Sequence, residues 1–156
     1  MIEFLENFGF LGLFLGSFLA ATVLPFSSDI IMIGALIAGM NPLLVLIWAT
    51  SGNWLGGLTS YWIGHLGKWQ WIEKWFGITE EKLLKQKHWI DKYGSLIAFF
   101  SWFPFVGDIL AVGLGFYRVN FTKSALFMFI GKATRYAFWI LLYFLLGDEL
   151  IKFKIL

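Results

Sequence analysis

The chain has no cysteine and only three prolines, and charge is scarce: 14% of its 156 residues are Asp, Glu, Lys or Arg. Without cysteine there are neither disulfides nor thiolate metal sites. A formal net charge of +2 is too small to argue for nucleic acid, and no basic patch with readable groove chemistry occurs. The only histidines, His65 and His88, have no metal-ligand spacing to one another or to a carboxylate and read as interfacial residues. There is no nucleophile elbow and no glycine loop for phosphate. The expectation is therefore a chain with no metal, no cofactor, no nucleic-acid partner and no enzymatic activity.

What the chain holds in abundance is apolar surface. Hydrophobic residues make up 59% of it and aromatics 21%, and the mean hydropathy is +0.75, far from the soluble balance. Nearly uncharged runs extend from Phe8 to Asp29, from Ile30 to Leu66 and from Thr134 to Gly147, with Arg135 the one charge inside the last. Lipid is the natural solvent for such runs. Glu3 and Glu6 stand where a signal peptide would carry positive charge, so a cleaved leader fits poorly.

Two of the three prolines fall in related stretches, "LPFSSDIIM" from Leu24 and "FPFVGDIL" from Phe103. Adding 79 to a residue number maps Pro25 on Pro104, Phe26 on Phe105, Asp29 on Asp108, Gly34 on Gly113, Asn41 on Asn120 and Gly52 on Gly131. Upstream the register slips by six residues, so that Phe8-Gly9 matches Tyr93-Gly94. The chain reads as a single membrane domain of two copies of one unit, 8–67 and 93–147, joined by an amphipathic linker, 68–92.

Segment lengths predict what each unit does. Gly94 to Phe103 would make roughly 15 Å of α-helix, half of a hydrocarbon core about 30 Å thick. Pro104 and Gly107 break it, and Asp108 can cap a short return helix from Ile109 to Tyr117, which makes a re-entrant helical hairpin. In the first copy, Pro25 ends the inbound helix and Ser27, Ser28 and Asp29 can accept the free N–H groups of the return helix. A spanning helix follows each hairpin, Pro42–Leu66 and Phe121–Leu146. The expected fold class is all-α integral membrane: an inverted repeat of two re-entrant hairpins, each followed by a transmembrane helix, with the two hairpin tips facing each other near the midplane.

In the linker, six lysines outnumber Glu73, Glu80, Glu81 and Asp91, and Arg118 and Lys123 lie on the same side of the membrane, so the positive-inside rule makes that side cytoplasmic. Trp69, Trp71, Ile72, Trp75 and Phe76 gather on one side of a short helix suited to the headgroup layer. A second linker helix starts at Thr79, with Ile78 and Leu83 as its hydrophobic staple. These helices read as an interfacial connector, with lipid sensing as the functional alternative. In the first spanning helix, Gly52, Gly56, Ser60 and Gly64 form a stripe that admits another backbone. Asn53, on the neighbouring stripe with Gly57 and Tyr61, maps by the repeat on Lys132.

Lys132 and Arg135 share one face of the second spanning helix, with Tyr136 beside Lys132. A guanidinium near mid-depth costs several kcal/mol, from about 3 upward, unless paired or wetted, and the intramembrane acids Asp29 and Asp108 lie at that level. In one reading each Asp caps its return helix and Arg135 pairs with one of them. In the other the tips and Arg135 line a polar cavity where Asp29 and Asp108 exchange protons and Arg135, Lys132, Arg118, Asn53, Ser28 and Tyr136 receive an anionic substrate, with Pro25, Pro104 and Gly107 shaping the tips.

"LPFSSDIIM", "GNWLGGLTSYWIG" from Gly52, "SWFPFVGD" from Ser101 and "GKATRY" from Gly131 together resemble the DedA superfamily of SNARE-associated, VTT-type membrane proteins, in its YqaA-like branch. The resemblance implies a multi-pass protein of the inner (cytoplasmic) membrane with two opposed re-entrant hairpins. It further implies proton-motive-force-dependent movement of undecaprenyl phosphate or other lipids between leaflets, phospholipid scrambling being linked to eukaryotic members. The family pattern carries an arginine just before the Phe-x-Pro step and another shortly after. This chain has Ser101-Trp102 and Val106-Gly107-Asp108 there, so Arg118, Lys132 and Arg135 would have to supply the positive charge.

The expected function is thus a proton-coupled transporter or flippase for an anionic lipid, a polyprenyl phosphate or a phospholipid, with membrane lipids and protons as its partners and a homo-oligomer left open. The alternative is a non-transporting, membrane-organising or chaperone-like protein; a headgroup-modifying enzyme is a distant third. Because native cysteine is absent, topology is directly testable. Single cysteines replacing Lys85 and Asn41 should label from opposite sides with an impermeant maleimide, Lys85 from the cytoplasm; labelling of both from one side would refute the span count.

Overall fold

The computed structural model describes residues 2–22, 28–103 and 106–154, and among these every regular element is helical. In order they are α1 (Ile2–Ala20), α2 (Ser28–Ile37), α3 (Pro42–Leu66), α4 (Trp69–Phe76), α5 (Glu80–Tyr93), a 3₁₀ helix (Gly94–Trp102), α6 (Val106–Phe116) and α7 (Phe121–Lys154). Pro25 and Pro104, and with them the inner turns of both expected hairpins, lie outside the described residues.

Positions 79 apart take up like local roles. The Asn41 side chain caps α3, accepting from the N–H groups of Leu43 (3.0 Å) and Leu44 (3.3 Å), and Asn120 caps α7 by accepting from Lys123 (3.0 Å). Each such cap is worth about 1 kcal/mol. Gly39 and Arg118 both follow a short helix in the left-handed region, at φ 86° and 54°. A non-glycine residue there costs on the order of 1–2 kcal/mol, so Arg118 serves as a backbone turn on the exposed surface.

Glycine decides which helices touch. A Cβ on Gly52 would collide with the Phe14 carbonyl of α1, and one on Gly131 with the Phe99 carbonyl of the 3₁₀ helix. Those two carbonyls stand in the slipped upstream register of the two copies. Further along α3, Ser60 donates to the Ala21 carbonyl (3.0 Å) and Gly64 admits the backbone of α6 at Val112. The small-residue stripe thus packs on α1 at one end and on α6 at the other. Tyr61 at its border donates to the Val119 carbonyl.

By length and composition, the α7 segment Phe121–Gly147 is the described helix apolar enough to cross a membrane. At 25 residues, α3 is about 37 Å long, but its buried glycines, serine and asparagine lower its hydropathy. The shorter apolar helices Phe8–Ala20, Ser28–Ile37 and Val106–Phe116 reach about 15–20 Å each.

Three local expectations need correction. The segment before Pro104 is 3₁₀ rather than α-helical: it runs between a glycine at φ 56° and Phe103, which is extended at φ −68°, ψ 128° as a residue preceding proline prefers to be. Its bulky aromatic residues have modest α-propensity. Nine residues at about 2.0 Å each still cover only about 18 Å. The second return helix, α6, begins earlier than expected, at Val106, so Asp108 lies inside its first turn rather than at the cap, and Asp29 likewise stands in the first turn of α2. Finally, the linker does more than rest on the membrane surface. Thr79 caps α5 as expected (3.4 Å to the Lys82 N–H), and Ile72, Ile78 and Leu83 are fully buried in one cluster with Val112 of α6. The side chains of Trp69, Trp71, Trp75 and Phe76 lie outside the described set.

The glycine contacts make a paired prediction. Gly52→Ala should cost about 1–3 kcal/mol and lower the thermal midpoint of the detergent-solubilised protein, whereas Gly34→Ala, with open space around its added methyl, should leave the midpoint within error.

Candidate functional site

The polar side chains of the apolar helices converge on one cluster. Asn53 of α3, 3% exposed, donates to the Ser17 carbonyl of α1 (3.1 Å) and to Ser28 Oγ at the start of α2 (3.4 Å), while its own oxygen accepts from Lys132 Nζ of α7. Ser28 Oγ in turn shares a 2.6 Å hydrogen bond with the Tyr136 hydroxyl, buried one turn along α7 from Lys132. A buried ammonium and a buried phenol are thus both satisfied by partners from other helices, as desolvated groups must be.

Arg135 reaches both halves of the chain at once. Its guanidinium pairs with Asp29 in the first turn of α2 and donates to the Trp102 carbonyl at the end of the 3₁₀ helix (2.9 Å). Both charged side chains of the pair are about nine-tenths covered, at 10% and 12% exposure. The Tyr136 ring lies under the guanidinium at 5.6 Å. Asp108, half-buried, makes no ion pair within 4 Å among the described residues, yet lies close enough for its carboxylate to feel both Lys132 and Arg135. The group therefore holds two acids and two bases.

A cavity of about 380 Å³ opens beside Arg135 and Asp29. Its walls are Phe99 and Trp102 of the 3₁₀ helix and Phe138 and Trp139 of α7, with Thr134 at the side and Gly131 in its lining. One ion pair in an aromatic slot is suited to an amphiphile: a charged head at the guanidinium and an apolar body along the rings.

Of the residues singled out in the sequence, Asp29, Arg135, Lys132, Asn53, Ser28 and Tyr136 come together, with Asp108 at the edge of the group. Arg118 does not join them. It sits in the exposed turn before α7, and the fourteen residues from Phe121 to Arg135 are about 21 Å of helix. Gly107 is a packing residue, since a Cβ there would collide with the Ser101 carbonyl. Pro25 and Pro104 lie outside the described residues. α2 and α6 have no extended contact with each other; the halves are joined by the packing of α3 on α6 and α7 and by the side chains of this cluster. The sequence reading missed the Ser17 and Trp102 carbonyls and the aromatic lining. The carbonyls carry no side-chain signal, and Phe99, Phe138 and Trp139 look like any other lipid-facing aromatics until the cavity is seen. Among the described residues no group of metal-ligating side chains occurs.

The family model of the VTT domain matches residues 24–148, which takes in every member of the cluster except Ser17. The chain belongs to the VTT-domain family. Among the relatives of this VTT protein, the inner membrane protein YqaA of Escherichia coli is 34% identical over 132 residues, covering 84% of this chain and 88% of that one. An uncharacterized protein of Haemophilus influenzae is 37% identical over 133 residues, with 80% of each chain covered. An uncharacterized membrane protein of Synechocystis is 29% identical over 153 residues, covering 93% of this chain and 70% of that one. No solved structure matches. This VTT-domain chain is an inner-membrane protein, in keeping with the description of its E. coli relative.

The Lys132–Asn53 contact can be tested by its asymmetry. Asn53→Ala leaves a buried ammonium without its oxygen and should cost about 2 kcal/mol, as losing a buried hydrogen bond to a charged group does. The double variant Asn53→Leu with Lys132→Met removes the charge as well and should be more stable than Asn53→Ala alone, as read by unfolding in mixed micelles.

Proposed function

We propose that this VTT protein is a proton-coupled carrier or flippase for an anionic lipid, working through the Arg135–Asp29 cavity and built as an inverted repeat of two re-entrant hairpins. The membrane geometry is supported by the short arms, each about half a hydrocarbon core, and by the contact between Asn53 and Lys132. These residues are 79 apart and so are counterparts in the two copies; a residue that touches its own counterpart lies on the axis relating them. Each copy then crosses once, and the second enters from the opposite face.

The observation that carries the function is the charge balance of the cluster. Two carboxylates, Asp29 and Asp108, stand against two cations, Lys132 and Arg135. An anionic head arriving at Arg135 adds a negative charge to a neutral group in a low-dielectric setting. Protonation of one carboxylate restores the balance, and Asp29, the present partner of Arg135, is the group the head would displace. Cargo and proton would then move together. The aromatic slot favours a lipid tail over a sugar or amino acid, which would need more side-chain donors than the cavity offers. The lipid, whether a polyprenyl phosphate or a phospholipid, leaves chemically unchanged, so no enzymatic step is required.

The rival reading, a non-transporting membrane-organising or chaperone-like protein, draws on the closed bonding of Lys132, Asn53, Ser28 and Tyr136, which ties α1, α2, α3 and α7 together whatever else the protein does. Asp108→Asn separates the two, because Asp108 lies outside that closed set. In proteoliposomes with a fluorescent anionic lipid, the variant should keep its thermal midpoint and elution volume but lose the pH dependence of lipid movement, with rates down about a hundred-fold at the optimum, the low end of what a positioned proton-transfer group contributes. Unchanged pH-dependent movement in the variant, or no movement by the native protein, would support the rival.

A further inference from the structure

A second cavity, which shares no lining residue with the one beside Arg135, lies where the linker enters the apolar part of the molecule. At Gly94 (φ 56°) α5 gives way to the 3₁₀ helix, and the break opens a groove of about 460 Å³ lined by Trp89, Tyr93, Leu96, Ile97, Phe100 and Leu110. That volume is within the range of about 300–1,000 Å³ usual for ligand clefts. Trp89 and Tyr93 stack at 5.9 Å and 11° at its polar end. Leu96 and Phe100, both more than half exposed, continue it along the apolar 3₁₀ helix.

Charge is sorted around this groove. Lys82, Lys85, Trp89 and Lys92 recur every three or four residues and so share one face of α5. Lys92 Nζ stands 5.3 Å from the centre of the Tyr93 ring, and His88 lies edge-on to Trp89 at 5.9 Å. The acidic residue flanking this face is Glu81, in a loose 3.8 Å contact with Lys85 across two side chains about 80% exposed, which is worth little. Glu80 and Asp91 fall on the far side of the helix. In the first copy Ile31, the counterpart of Leu110, packs against Gly16 of α1, where an added Cβ would meet it at 2.8 Å. The groove thus lies where the lysine-bearing linker joins.

We propose that this groove binds an anionic glycerophospholipid of the linker-side leaflet, with its phosphate between Lys85 and Lys92 and one acyl chain passing the Trp89–Tyr93 stack to lie along Leu96, Phe100 and Leu110. The chemistry that selects this occupant is the sequence of surfaces it spans. Cations stand at headgroup height, an amphipathic aromatic pair at the interface, and purely apolar side chains below. A peptide partner would find no backbone donors or acceptors in the apolar lining, whereas an acyl chain needs none. The site is independent of the Arg135 cavity and would hold its lipid whether or not the protein transports.

The test uses the full chain in mixed micelles with equimolar phosphatidylglycerol and phosphatidylcholine, read by native mass spectrometry. Phosphatidylglycerol should be retained preferentially. The double variant Lys85→Gln with Lys92→Gln should lower that preference by about ten-fold, given the contribution of each surface lysine to anionic-lipid attraction. Leu96→Trp, which fills the groove, should reduce retention of both lipids while the thermal midpoint in lipid-free detergent stays unchanged. A photoactivatable acyl chain should mark the peptide carrying Leu96 and Phe100. Equal retention of the two lipids, retention indifferent to all three substitutions, labelling elsewhere, or a concentration-dependent dimer that shields Trp89 would each overturn the proposal.

Discussion

A guanidinium inside a membrane helix must be satisfied, and the rest of this structure is arranged around that requirement. Arg135 reaches from α7 to the carboxylate of Asp29 on one side and to the Trp102 carbonyl on the other. It thereby links α2 of the first copy to the end of the 3₁₀ helix of the second, two pieces that share little direct packing. Both partners must arrive at the same depth as Arg135. Asp29 does so from the first turn of α2. Trp102 does so because a 3₁₀ segment of only nine residues ends there.

Around that link the two halves are alike in packing and unlike in chemistry. Gly52 and Gly131 admit the carbonyls of Phe14 and Phe99, and Asn41 and Asn120 cap the long helices. Where function would reside the copies diverge: Asn53 faces Lys132, Gly56 corresponds to Arg135, and Gly57 to Tyr136. The small residues of α3 allow α1 to lie close, so that side is filled by backbone. α7 carries larger residues at these positions, and the aromatic cavity opens beside Arg135 between α7 and the 3₁₀ helix. The linker adds a second inequality, covering α6 through Ile72, Ile78 and Leu83 while the outer face of α2 stays open at Ile30, Gly34 and Ile37. The two copies therefore present unlike surfaces.

Much of the fold was legible in the sequence because the signals are local. Pro42 at N1 after Asn41, the Thr79 cap and the left-handed Gly67 follow from short-range sterics and hydrogen bonding, and the bounds of α3 could be read from them. Less legible were the ends of the inbound arms. A run such as "SLIAFFSW" has no periodicity that distinguishes 3₁₀ from α winding, and the start of a return helix depends on where its acid finds a partner. Arg118 shows the converse error. Its charge suggested a ligand, but its position matches Gly39 and its contribution is a left-handed turn, a conformational role that residue type does not reveal.

By itself the sequence determined the lipid-soluble character of the chain, the internal repeat, the family, and the fact that Arg135 and Lys132 need company, since desolvation of a charge depends only on what the charge is and how apolar its neighbours are. Tertiary structure alone decided who that company is. Asp29 rather than Asp108 pairs with Arg135, Asn53 rather than a carboxylate receives Lys132, and a backbone carbonyl completes the guanidinium, because these choices depend on helix crossings set by the contacts of Gly52, Gly64 and Gly131 with distant backbone. A residue's chemistry is written where it stands in the chain, but its partner is set by how closely two helices can approach.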